Sequence, residues 1–189
     1  IQVSAYLDAP ILLNGKAGLD KGTRAEMIRL RAEHAYLVGC NINPKLEADL
    51  VGEGCKVTKI SAEKPFDLSY KCGEFANKNK TTTKKSLILA SSEVFADSLS
   101  MSSYSYANKV PMLLVPKDID DNMAKIINDY GAEEVLVIGG ENTISSESMA
   151  KIGKARRISG QDRYQTSRII QKDYYPDSKN SLVASGLTF

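Results

Sequence analysis

Tryptophan is missing from this 189-residue chain, and histidine occurs once, at His34. One histidine with no Gly-x-Ser-x-Gly elbow offers no serine-hydrolase relay. It also leaves too few ligands for zinc, which takes about four clustered nitrogen or sulfur donors. Cysteine is scarce and odd in number: Cys40, Cys55 and Cys72 include no Cys-x-x-Cys pair, so they set no disulfide framework. Cys40, after "AYLVG", reads as a small buried residue. Neither sign of charge dominates, with 25 Lys and Arg against 23 Asp and Glu. That balance argues against the basic field of a nucleic-acid binder, while leaving room for a local basic patch facing an anionic polymer. No run approaches the roughly 18 apolar residues that a membrane span requires. No signal peptide is visible; the chain opens on Ile1 and reads as a mature or excised segment.

What the chain does contain, it contains twice. "APILLN" (9–14) aligns with "VPMLLV" (110–115), pairing Pro10 with Pro111. "AEHAYLVGCNINPKLEADL" (32–50) aligns with "AEEVLVIGGENTISSESMAKI" (132–152), pairing Gly39 with Gly139. "TKISAEKPFDLS" (58–69) aligns with "RRISGQDRYQTS" (156–167), pairing Ile60 with Ile158, and "LILASSEVF" (87–95) with "SLVASGLTF" (181–189). A repeat of this kind organises the fold before any motif does. It divides the chain into most of one unit (1–80), a complete unit (81–178) and the opening strand of a third (179–189), so a longer array is expected.

Within the complete unit, apolar runs alternate with helical periodicity. "SLILAS", "VPMLLV" and "EVLVIGG" are strand-like, and Ile119, Met123, Ile126, Ile127 and Tyr130 form one helical face that stops at Gly131. Strand–helix alternation with short connections predicts parallel strands in a doubly wound α/β sheet. The Asp118, Asp120 and Asp121 carboxylates sit together at one helix start, where they favour its dipole, rather than as an opposed glycosidase pair.

Four motifs in order, "FADSL" (95–99), "PMLLV" (111–115), "VLVIGGENTIS" (135–145) and "RRISGQDRYQTS", resemble the cell-wall-binding type 2 repeat of clostridial and related Gram-positive surface proteins. The resemblance covers nearly the whole chain. It implies tandem Rossmann-like, flavodoxin-like units about a pseudo-threefold axis. It further implies a secreted, non-catalytic anchor in the cell wall or S-layer, without a cofactor, whose partners are an anionic wall polysaccharide and other S-layer proteins. No nucleic-acid or membrane partner is expected.

The candidate contact residues are Arg157, Asp162, Arg163 and Tyr164, with Asn142 after the Gly139 turn, and Leu12, Leu13, Leu113 and Leu114 on the two Pro-led strands. An arginine fork suits phosphate or carboxylate, and a tyrosine ring suits stacking on a sugar. The bland alternative for the first group is a junction between units, with Asp162 pairing an arginine. For the leucines it is a core strand. The first unit keeps the ring (Phe66 at the Tyr164 position) and loses the fork (Lys64 and Pro65 at the Asp162 and Arg163 positions). Gly139-Gly140 reads as a tight turn or, in a rival reading, as the phosphate cradle of a nucleotide- or cofactor-binding enzyme domain. "NKNKTTTKK" (77–85) reads as a solvated linker or a basic lip.

Overall fold

A computed structural model describes residues 2–78, 86–183 and 185, and among these residues there are six strands and eight helices, strand and helix alternating from the first strand onward. Helices α1 (Gln2–Leu7) and α2 (Lys21–Leu30) precede β1 (His34–Cys40), α3 (Pro44–Gly52), β2 (Lys56–Ala62) and α4 (Pro65–Lys78). There follow β3 (Ser86–Ser91), α5 (Phe95–Asn108), β4 (Met112–Val115), α6 (Asp121–Asp129), β5 (Glu134–Ile138), α7 (Ser146–Ala150), β6 (Ala155–Ile158) and α8 (Arg163–Tyr174). Every strand pairing is parallel. One sheet runs β4-β3-β5-β6, and the other is the pair β1-β2.

The four-stranded sheet is buried on both faces, which is why its strands read as unbroken apolar runs. Side chains alternate across it. Leu87 and Leu89 of β3 face α6 with Leu113, Val135, Val137 and Ile127. Ile88 and Ala90 face α5 and α8 with Leu136, Ile138, Met101 and Ile170.

The repeat is written into the backbone. Asp8 and Lys109 both take left-handed φ (49° and 53°) just ahead of the paired prolines. Ser4 Oγ donates to Ala9 O at 2.6 Å, and Ser105 Oγ to Val110 O at 2.7 Å. Asp20 caps α2 by accepting from Thr23 N, and Asp120 caps α6 by accepting from Met123 N. Arg31 and Gly131 end these helices in the same left-handed conformation.

The two halves differ where partners are missing. Met112–Val115 is a strand because β3 lies beside it. Among the described residues the first half has no β3 counterpart, so the expected core strand at Pro10–Leu13 does not form there. Leu113 is 0% exposed, whereas Leu12 is 36% and Leu13 88% exposed. The same deficit leaves α2 without a single buried residue. It also corrects the expectation for Cys40, which is exposed at the end of the two-stranded sheet; Cys55 and Cys72 are the buried thiols.

Helix α4 belongs to both halves. Cys72 packs with Val3 and Ile60, with Leu68 and Phe75 alongside. Phe66, with Tyr70 beside it, enters the core of the four-stranded sheet. Ser69 Oγ accepts from Leu114 N at 2.9 Å while donating to Phe66 O, so α4 satisfies an edge amide of β4. Gly73 allows the close approach: a Cβ there would lie 3.2 Å from the Tyr130 hydroxyl. Asn77 Nδ2 donates to that hydroxyl at 2.6 Å, and Gln2 Nε2 to Met112 O. The basic stretch 77–85 lies outside the described residues from residue 79 onward.

Candidate functional site

In the four-stranded sheet the connections diverge between β3 and β5, and open parallel sheets place ligands outside the strand ends at such a point. The chain turns there in two ways. Ser91 Oγ accepts from Glu93 N and Val94 N, which swings the backbone into α5. Gly139 takes φ 105°, and its amide donates to Ile158 O at 2.9 Å. A Cβ on Gly139 would lie 2.5 Å from Thr143 Oγ1 and 2.8 Å from Asp97 Oδ2. A carboxylate that close to the turn makes it a poor cradle for phosphate, against the nucleotide-binding alternative.

Asp97 is buried, and burial pushes its carboxyl above the ordinary value; the Arg163 guanidinium draws it back down in part. A carboxyl raised in the folded state opposes folding once it ionises, so Arg163 relieves a penalty that exists only above the ordinary value of 3.8. Arg163→Ala is therefore expected to lower stability near pH 7 by about 0.2–1 kcal/mol, the range for exposed ion pairs. The loss should vanish near pH 3, where the carboxyl is protonated in both states. Urea unfolding at the two pH values checks this, and an equal loss at both would contradict it.

The sequence-selected residues fall into three places. Arg157 spans the loop after β5, donating to Gly139 O at 2.8 Å and Ile144 O at 2.9 Å, so its guanidinium holds the turn on which exposed Asn142 sits. Asp162 caps α8, accepting from Gln165 N at 2.7 Å, and so starts the helix that presents exposed Arg163 and Tyr164. These five residues surround one end of the sheet. Leu113 and Leu114 lie on β4 at the α4 joint, with the Leu113 side chain enclosed. Leu12 and Leu13 are exposed in the first half, apart from both groups.

A basic surface also forms away from these residues. An open depression of about 380 Å³ lies between β2 and α4, lined by Lys59, Lys71, Lys78, Glu74 and Phe75 among others. Lys59 pairs with Glu47 at 2.6 Å, and Lys71 Nζ donates to Ser61 O at 2.7 Å. The lysines come from two separate segments, and only the strand–helix packing brings them beside one ring. His34 Nε2 lies 2.9 Å from Thr58 Oγ1 and its ring stacks on Tyr36, which accounts for it structurally. Among the described residues no group of His, Cys, Asp and Glu is placed to hold a metal ion. No helix there is long and apolar enough to cross a membrane.

A parallel, doubly wound α/β unit, repeated in tandem with a shared helix, is the class that this geometry defines. Residues 59–149 match the family described as Cell wall binding domain 2 (CWB2). The matched stretch runs from within β2 through α4 and the first three strands of the four-stranded sheet into α7. Among solved structures, Cwp6 from Clostridium difficile is similar with a TM-score of 0.82 at 25% identity, covering 93% of this chain and 29% of that one. Cwp8 from the same organism gives 0.75 at 26% identity, covering 92% and 31%. The N-acetylmuramoyl-L-alanine amidase LytC of Bacillus subtilis (strain 168) is 24% identical over 169 residues, 87% of this chain and 33% of the amidase. An uncharacterized protein of Pyrococcus abyssi is 32% identical over 108 residues, 52% of this chain and 32% of its own length. The chain thus spans about a third of these relatives.

Proposed function

We propose that this chain is a non-catalytic anchor that holds a surface protein to a Gram-positive cell wall by non-covalent binding of an anionic wall polysaccharide. The observation that carries the reading is the Cell wall binding domain 2 match over residues 59–149. Two surfaces supply the chemistry. Arg163 and Tyr164 put a cation and a ring at the sheet end, and Lys71 and Lys78 flank Phe75 in the β2–α4 depression. Each surface offers few charges, so attachment depends on several weak sites acting on one polymer. In this reading the units (1–80, 81–178 and one opening at 179) stand about a pseudo-threefold axis. The protein sits at the cell surface beside other S-layer proteins, and any hydrolytic activity lies in residues outside this chain.

The test is retention on purified wall, with and without its anionic polymer. Wild type is expected to bind only the complete wall and to release as salt rises. The pair Lys71→Glu, Lys78→Glu, joined with Arg163→Ala, is expected to weaken retention by about tenfold or more. Equal retention on stripped wall, or by the folded triple variant, would overturn the proposal.

A further inference from the structure

The loop after Leu13 carries the only Asn-Gly step in the chain, Asn14-Gly15, at the place where the second unit has Val115-Pro116. Residues of the same half set its geometry. Leu19 N donates to Asp49 Oδ2 at 3.0 Å, and Asn43 Nδ2 to Lys16 O at 2.9 Å, so the loop is fastened to α3. Asn14 is its hub. Nδ2 donates to Gly15 O at 2.8 Å and to Gly18 O at 2.7 Å, while Oδ1 accepts from Asp20 N at 3.0 Å. The Thr23 amide, with the Thr23 hydroxyl and the Gly15 amide, draws the Asp20 carboxyl below its ordinary value. Asp20 is therefore ionised at neutral pH, with its carboxylate against the Gly15 amide. Gly15 and Asp20 are exposed, and a Cβ on Gly15 would meet nothing within 4 Å, so no side chain shields that amide.

We propose that Asn14-Gly15 is a self-modification site: the Gly15 nitrogen attacks Asn14 Cγ with Asp20 as base, and the side-chain amide is converted to an acid. The N–Cγ bond forms as Asp20 takes the Gly15 proton. Charge developing on Oδ1 faces the Asp20 N–H, which is already bonded to that oxygen. The Cγ–Nδ2 bond then breaks, and Nδ2 leaves as ammonia with the proton that Asp20 held. Water opens the resulting cyclic imide at either carbonyl, giving aspartate or isoaspartate. Aspartate sets a carboxylate oxygen against the two carbonyls that Nδ2 had bonded, and isoaspartate lengthens the backbone by one carbon. Either product strains the neighbouring tie from Thr23 Oγ1 to Leu13 O, 3.0 Å, at the start of α2. Helix α2 has no buried residue and depends on such polar ties, so it is the element that the change loosens. The inference stands apart from polymer binding.

Peptide mapping by mass spectrometry, after incubation of the folded chain near neutral pH, tests it, with the chain in urea as the reference clock. Folded wild type is expected to accumulate aspartate and isoaspartate at residue 14. Asp20→Asn keeps a good helix-capping side chain and removes the base, so it is expected to slow conversion by about tenfold or more. That slowing should appear only in the folded chain, because urea separates residue 20 from Gly15. Asn14 left intact in the folded chain while the urea sample converts would overturn the proposal. So would conversion in the folded Asp20→Asn variant at the wild-type rate.

Discussion

Phe66→Ala is expected to cost about 3–5 kcal/mol of folding stability, a large part of the roughly 5–15 kcal/mol that a domain has. The ring is 4% exposed and packs with Leu87, Leu89 and Leu113 of the sheet that follows it in sequence. Alanine is the better helix former, so the loss comes from the vacated core and not from α4 itself. Phe66→Leu, which keeps most of the volume, should cost under about 1.5 kcal/mol. The aligned change Tyr164→Ala, on a half-exposed ring, should stay within about 0.5 kcal/mol. Urea unfolding of the three variants checks the set. A Phe66→Ala loss below about 1 kcal/mol would mean that α4 does not hold the halves together.

Gly139→Val is the second large effect. The backbone there has φ 105°, which a β-branched residue adopts only under strain of about 1–3 kcal/mol. The new Cβ would also fall 2.5 Å from Thr143 Oγ1 and 2.8 Å from Asp97 Oδ2, and relieving such crowding costs about 1–3 kcal/mol more. The expected total is about 2–6 kcal/mol. Asp97→Ala in the same chain should return part of it by opening the space, and a double-mutant cycle reads that coupling. Full additivity of the two changes would show that the turn does not rest on Asp97.

Much of the architecture could be read from the residues. Gly131 marked the stop of α6, the Asp118, Asp120 and Asp121 group its start, and the apolar run "EVLVI" a strand buried on both faces. These are local signals, set by backbone conformation and hydrophobic period. What could not be read depended on neighbours. Pro10–Leu13 resembles the Pro111–Leu114 stretch but has no strand partner among the described residues, so similar chemistry gives an exposed segment in one half and a core strand in the other. The charge of Arg157 suggests a ligand contact, yet its partners are the carbonyls of Gly139 and Ile144, which no spacing rule connects to it. Lys59 and Lys71 sit on different elements, and their convergence beside Phe75 appears only once α4 lies on β2. The Asp162–Arg163–Tyr164 triplet was legible as a site of interest; that Asp162 caps α8 needed the geometry.

The dual allegiance of α4 separates the unit of inheritance from the unit of folding. A gene rearrangement that cut after Lys78 would carry Phe66 and Ser69 away from the strand they cover, leaving an orphaned ring on one product and a bare sheet margin on the other. A cut ahead of Pro65 would in turn take Leu68, Cys72 and Phe75 away from Val3 and Ile60, so neither end of α4 is a clean boundary between modules.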